Sequence, residues 1–264
     1  MYGKALRLKR LLKGDGEKVC IVPVDHGLTL GPIGGLRDIL PLVNDLFING
    51  ADGVILHKGI LTNVAKSHDL IDGNFILHLS ASSVFSKNTK DKALIASVEE
   101  AICHGAIGVS VHLNLGTDNE NAVFRDLGDV SEACHKWGFP LICMMYNTNT
   151  VSQGEEIKTY QHMIRIAEEF GVDIIKIKMH IKPEEFQDVG RLASIPVILA
   201  GGDKCIKIDD FLVMLELAQH KCIRGISYGR NIFMAKKPGM VVRACKDVLN
   251  GKQAIEEINW EEIY

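Results

Sequence analysis

The sequence has no apolar run approaching the ~20 residues that a membrane span requires, so a bilayer is not an expected partner. Its net charge is only −3, without the excess of one sign that draws nucleic acids or membrane surfaces. The ten histidines form neither H-E-x-x-H nor a close ligand pair, and no dedicated metal site is expected. The seven cysteines are odd in number and contain no C-x-x-C, and most lie in apolar stretches, as Cys20 and Cys143 do. They read as buried, reduced thiols of a cytoplasmic protein. The first residues lack the apolar core and small-residue cleavage site of a secretory signal.

What is present is an alternation. Short β-branched runs fall at 19–24, 53–57, 75–79, 108–112, 140–146, 172–177, 196–200 and 225–229. Nearly all are followed by a helical pattern, with no hairpin signal between them. Helices are expected over 36–49, 92–104, 120–137, 157–167, 184–192 and 211–220, and 28–35 reads as a glycine-rich loop. Eight β/α units in 264 residues point to a single (β/α)8 barrel domain spanning 1–264. Residues 1–18 would close one end as a helix, and 251–264 would form an acidic tail. An open doubly wound sheet competes, but G-x-G-x-x-G is absent after the first run.

Polar residues stand at the strand ends where a barrel gathers them. Asp25, His26 and Gly27 follow the first strand, and His57 ends the second. Tyr146 ends the fifth, Gly201 and Gly202 follow the seventh, and Gly229 and Arg230 follow the eighth. The last two loops frequently bind phosphate in such barrels. The most telling stretch is Gly171-Val-Asp-Ile-Ile-Lys-Ile-Lys-Met-His180. Lys176 and Lys178 lie i, i+2 on one strand face, and burying an ammonium is costly. Burial and a neighbouring cation both lower a lysine's pKa, which makes it a nucleophile towards a carbonyl. Either a Schiff-base lysine or two amines reaching solvent satisfies this pattern. With Asp25 and the phenol of Tyr146 as proton carriers, the set describes carbon–carbon bond chemistry on a phosphorylated ketone.

The motifs Val22-Pro-Val-Asp-His-Gly27, Gly31-Pro-Ile-Gly-Gly-Leu36, Leu56-His-Lys-Gly59, His78-Leu-Ser-Ala81, Val109-Ser-Val-His112, Met144-Met-Tyr146, Ala200-Gly-Gly202 and Gly229-Arg-Asn-Ile-Phe233 run across almost the whole chain. They resemble the archaeal-type class I aldolases that include 2-amino-3,7-dideoxy-D-threo-hept-6-ulosonate synthase. The resemblance implies a (β/α)8 barrel, a homo-oligomer that is often a decamer, and an imine on Lys176 with no metal or cofactor. It assigns proton transfer to Tyr146 and Asp25, phosphate binding to Gly202, Gly229 and Arg230, and a neighbouring-cation role to Lys178. Substrate contacts are expected from His26, His57 and Gly201 as well. The chain departs from the resemblance at Asn147-Thr-Asn-Thr150, where Pro-Arg-Gly is usual, and at Ile177 to Met179. Both departures concern the acceptor side. The expected partners are a phosphorylated ketone and a small aldehyde, first dihydroxyacetone phosphate with aspartate 4-semialdehyde. C3 transfer from a deoxyketohexose phosphate, sugar-phosphate cleavage, a non-catalytic sugar-phosphate sensor and a thiolase-like acyl transfer are the alternatives.

Overall fold

The β-branched runs form strands because both of their faces are covered, one by the barrel interior and the other by helices. The computed structural model describes residues 2–14, 16–152, 154–179, 185–190 and 193–264. Eight parallel strands close a barrel: β1 (Val19–Pro23), β2 (Gly53–Leu56), β3 (Phe75–His78), β6 (Gly108–Leu115), β7 (Leu141–Asn147), β8 (Ile174–Ile177), β9 (Val197–Ala200) and β10 (Gly225–Ser227). Neighbours in sequence are neighbours in space, and β10 pairs with β1 to complete the ring. Two further strands, β4 (Ser80–Ala81) and β5 (Ala93–Leu94), form an antiparallel ladder after β3.

The interior of the barrel is an isoleucine plug. Ile21, Ile55, Ile76, Ile142, Ile174 and Ile198 form one cluster with Val19 and with Leu11 of the helix Tyr2–Leu12. That helix, Tyr2–Leu12, packs its Leu11 against the N-terminal end of the plug. The outer core lies between strands and helices, among them Ile39–Ile48, Glu120–Trp137, Glu156–Glu169, Ile208–Ala218 and Pro238–Leu249. None of the helices searched among the described residues is long and apolar enough to cross a membrane.

Several local expectations are corrected. A short helix, His26–Leu30, occupies part of the loop expected over 28–35. The helix expected over 92–104 shortens to Val98–Cys103, because Ala93 and Leu94 pair with Ala81 and Ser80. Ser97 caps it by accepting from the Glu100 amide at 3.1 Å. Helix Lys58–Ala65 was not signalled by the sequence. Of the helix expected over 184–192, Phe186–Gly190 is described as helical, while 184, 191 and 192 lie outside the described residues, as does His180. All seven cysteines are free thiols, but Cys103 is exposed and Cys205 and Cys222 are only half-buried.

The segment after Gly251 is no free acidic tail. It carries helix Trp260–Ile263, whose Trp260 and Ile263 are buried. The Trp260 ring meets Phe211 edge-on at 5.6 Å, and its Nε1 donates to the Ile255 carbonyl at 2.9 Å. Trp260→Ala is therefore expected to cost about 3–5 kcal/mol in chemical denaturation. A loss below ~0.5 kcal/mol, as for an exposed position, would show the segment to be dispensable.

Candidate active site

The alternation that fills the barrel floor also equips its mouth. Strand side chains alternate, so two residues above each inward isoleucine another side chain points inward. Ile55 leads to His57, Ile76 to His78, Ile174 to Lys176, and Ile142 through Met144 to Tyr146. These side chains line a cavity of about 200 Å³ at the C-terminal strand ends.

Lys176 sits on β8 beside Met144 of β7 and Ile198 of β9, and is 5% exposed. Burial pushes its ammonium down to about 8; Arg230 pushes the same way and Asp25 opposes both. Asp25 has its Oδ1 3.2 Å from His26 Nδ1 and its Oδ2 3.6 Å from His78 Nε2. His26 Nδ1 is itself buried, with Asp25 as its near neighbour. Burial disfavours the Asp25 anion, but His78, His26 and Lys176 outweigh it and hold the carboxyl below the usual range. Burial also pushes His78 down to about 4, so at neutral pH its ring is uncharged. Lys176 is among the charges that act on Asp25. His78 Nδ1 lies 2.7 Å from Ser110 Oγ, and accepting that hydroxyl proton would leave Nε2–H towards Asp25. His57, itself buried, has Nδ1 3.1 Å from the His78 carbonyl.

The Tyr146 ring stacks on His112 at 5.1 Å, and its hydroxyl points to Met144 Sδ at 3.8 Å. Burial raises the Tyr146 pKa, so it stands as a neutral phenol with a proton to give. Burial likewise pushes His112 down to about 3, and its Nε2 lies 3.0 Å from Asn114 Oδ1.

On the other side of the mouth, β9 runs into Gly201-Gly202 and β10 into Gly229-Arg230. Gly202 has φ +69°, and a Cβ there would stand 2.8 Å from Lys178 Nζ. A Cβ at Gly229 would meet His26 Cε1 at 2.6 Å. These glycines bring bare backbone to the cavity wall. Beside them, Ser227 Oγ and Arg230 Nε are buried without a partner among the described residues. Buried donors of this kind await an acceptor, and an anion satisfies both. The Arg230 guanidinium also pairs with Asp203.

Lys176, Tyr146, Asp25, His26, His57, Gly201, Gly202, Gly229 and Arg230 thus share one cavity. Lys178 does not line it. The strand stops at Ile177, and Lys178 lies against Gly202 instead of continuing the inward face. Lys178 is also not the charge that depresses Lys176; burial and Arg230 are. His78, His112, Ser227 and Lys92 line the cavity too but were not singled out from the sequence. The first two were accessible by extending the alternation from Ile76 and from Gly108 of β6, whereas Lys92 carries no local signal. No group of three or more His, Cys, Asp or Glu side chains among the described residues is arranged to hold a metal.

The sequence model of the DeoC/LacD family aldolases matches residues 19–235. The 2-amino-3,7-dideoxy-D-threo-hept-6-ulosonate synthase 1 of Archaeoglobus fulgidus is 36% identical over 258 residues, covering 98% of this chain and 95% of that protein. The 2-amino-4,5-dihydroxy-6-oxo-7-(phosphonooxy)heptanoate synthase of Streptomyces griseus is 32% identical over 250 residues, 94% of this chain and 91% of that one. Among solved structures, an archaeal fructose-1,6-bisphosphate aldolase with its catalytic lysine bound to a carbinolamine intermediate aligns with a TM-score of 0.80. It is 26% identical and covers 94% of this chain and 100% of its own.

Proposed function

The chain belongs to the DeoC/LacD family of aldolases, and from that premise we propose that it joins dihydroxyacetone phosphate to aspartate 4-semialdehyde through an imine on Lys176. The observation that carries this reading is a buried lysine at a strand end, lowered to about 8 and acted on by a carboxylate, in one cavity with two unpartnered donors.

The neutral Lys176 amine attacks the ketone carbon of the donor, and the carbonyl oxygen leaves as water. The iminium then acts as the electron sink. A proton leaves the adjacent carbon to give an enamine, whose carbon attacks the aldehyde. The new alkoxide takes a proton, and water releases the product and restores the amine. Tyr146 and Asp25 are the groups placed to carry these protons. The donor phosphate lies in the cradle of Gly202, Ser227, Gly229 and Arg230, with Gly201 and His26 beside it; Lys178 supports the cradle through Gly202, and His57, beside His78, contacts the substrate elsewhere in the cavity. In this reading residues 1–264 act as one domain within a homo-oligomer, a decamer by the resemblance, and the free thiols suit a reducing cytoplasm.

The carbon skeleton supports the substrate pair. A 2-amino-4,5-dihydroxy-6-oxo-7-(phosphonooxy)heptanoate opened by retro-aldol cleavage between C4 and C5 yields dihydroxyacetone phosphate and aspartate 4-semialdehyde. The Archaeoglobus relative favours a second reading, C3 transfer to the same acceptor from a deoxyketohexose phosphate, because its named product lacks oxygen at C7.

The test is borohydride reduction after incubation with either donor, followed by peptide mapping. Aspartate 4-semialdehyde and glyceraldehyde 3-phosphate are then offered separately to the unreduced mixture. An adduct on Lys176 from dihydroxyacetone phosphate, with aspartate semialdehyde consumed, is expected. An adduct from the deoxyketohexose phosphate alone moves the assignment to the second reading. The trapping rate is expected to rise with pH through about 8, since only the neutral amine attacks and Lys176 loses its proton there. A rate flat between pH 6 and 9 would contradict Lys176 as the titrating nucleophile.

A further inference from the structure

We propose that Lys92 binds the carboxylate of the aldehyde acceptor, and so sets the acceptor class as an anionic aldehyde. This rests on the aldolase reading above and concerns the half of the site that reading leaves without a binding group.

Lys92 directly precedes β5, which the Ser80↔Leu94 and Ala81↔Ala93 pairs fix onto the extension of β3. Its Nζ donates to Ser82 Oγ at 2.6 Å, and that hydroxyl donates to the Thr89 carbonyl at 2.9 Å. The preceding residues are held as well. Asn114 Nδ2 donates to the Lys90 carbonyl at 2.6 Å, and Asn119 Nδ2 to Asp91 Oδ2 at 2.8 Å. The ammonium is therefore positioned on the cavity wall and half-buried.

Among the described residues it forms no ion pair; its partner is a neutral hydroxyl. Asp25 is the charge acting on it, and burial weighs against its charged form. A half-buried cation without a counter-ion gains most from an anion brought by a ligand. The cavity's other outer cation, Arg230, already has Asp203 and stands beside the phosphate cradle.

Barrel order places the two cations on well-separated walls. From β3 to β10, which Arg230 follows, is three steps around the eight-strand ring one way and five the other, and from β3 to β9 it is four in either direction. A donor stretched from the cradle after β9 and β10 to Lys176 on β8 fills one side of the mouth. The aldehyde must approach the enamine carbon from the open side, with the rest of its chain directed towards the β3 wall. There Lys92 meets its anionic end, a pairing worth about 10- to 100-fold in affinity.

The test uses the full-length enzyme with Lys92→Met and Lys92→Arg. Donor trapping on Lys176 is read first, so that a failure of the imine chemistry shows in wild type, separately from any acceptor effect. If dihydroxyacetone phosphate gives no adduct, the acceptor series is run with the deoxyketohexose phosphate. In Lys92→Met the KM for aspartate 4-semialdehyde is expected to rise about 10- to 100-fold with a smaller change in kcat. Lys92→Arg is expected to restore most of it, because the charge returns. A fall in kcat at constant KM, or an Arg variant no better than Met, overturns the proposal. A larger loss with glyceraldehyde 3-phosphate than with aspartate semialdehyde overturns the carboxylate assignment in favour of a phosphate. A wild-type enzyme that traps the donor but ignores aspartate semialdehyde overturns it as well.

Discussion

Lys176→Met is expected to lower turnover by about four orders of magnitude or more and to abolish the borohydride-trapped adduct. A methionine keeps most of the side chain's length in the slot between Met144 and Ile198, but it has no nitrogen to form the covalent link. Removing a covalent nucleophile costs far more than removing a binding contact, because every later step passes through its intermediate. The substitution also relieves the burial of an ammonium that is 5% exposed, so loss of the fold is not the expected cause. A near-UV circular dichroism spectrum matching wild type checks that point. Lys178→Met is the informative partner, since Lys178 lies against Gly202 and not on the cavity wall. Its adduct should still map to Lys176. An adduct surviving in Lys176→Met and mapping to Lys178 would falsify the assignment.

Asp25→Asn should lower kcat by about 10²- to 10⁴-fold, the range for loss of a positioned proton carrier. Two consequences separate this from simple damage. Asn keeps the size of the side chain but removes the negative charge that raises the Lys176 pKa. Burial and Arg230 then act unopposed, so the amine loses its proton at a pH below about 8. The rising limb of donor trapping should move to lower pH while overall turnover falls. The sign follows from the charge: an anion stabilises the ammonium, and without it the neutral form is reached sooner. A limb that moves to higher pH would show that Asp25 does not act on Lys176 through its charge. Tyr146 should respond in the same direction, because Asp25 also raises its pKa.

Much of this was legible in the chain. The β-branched runs specify buried strands because each is short and too apolar for a surface, and most are preceded by glycine or proline. Lys176 stood out because an ammonium in such a strand is costly. The alternation from Ile174 to Lys176 and from Ile142 to Tyr146 is local, so it too is written in the sequence. Lys178 marks the limit of that logic. Period-two spacing put it beside Lys176, but the strand ends at Ile177, and beyond a strand end the spacing no longer fixes a direction.

Other features depended on contacts between distant residues. Trp260 reads as part of an acidic tail until Phe211, far earlier in the chain, supplies its ring contact. Ser227 and Arg230 become an anion cradle only beside Gly201-Gly202 from the preceding unit. Lys92 enters the site because β5 pairs backwards onto β4, a ladder two residues long on each side and too short to leave a pattern. By itself the sequence determined the eight strands, the inward isoleucines and the lysine above them, since each follows from local spacing and the cost of burying charge. Only the tertiary structure decided which strand ends face one another, because closure of the ring sets β9 opposite β3.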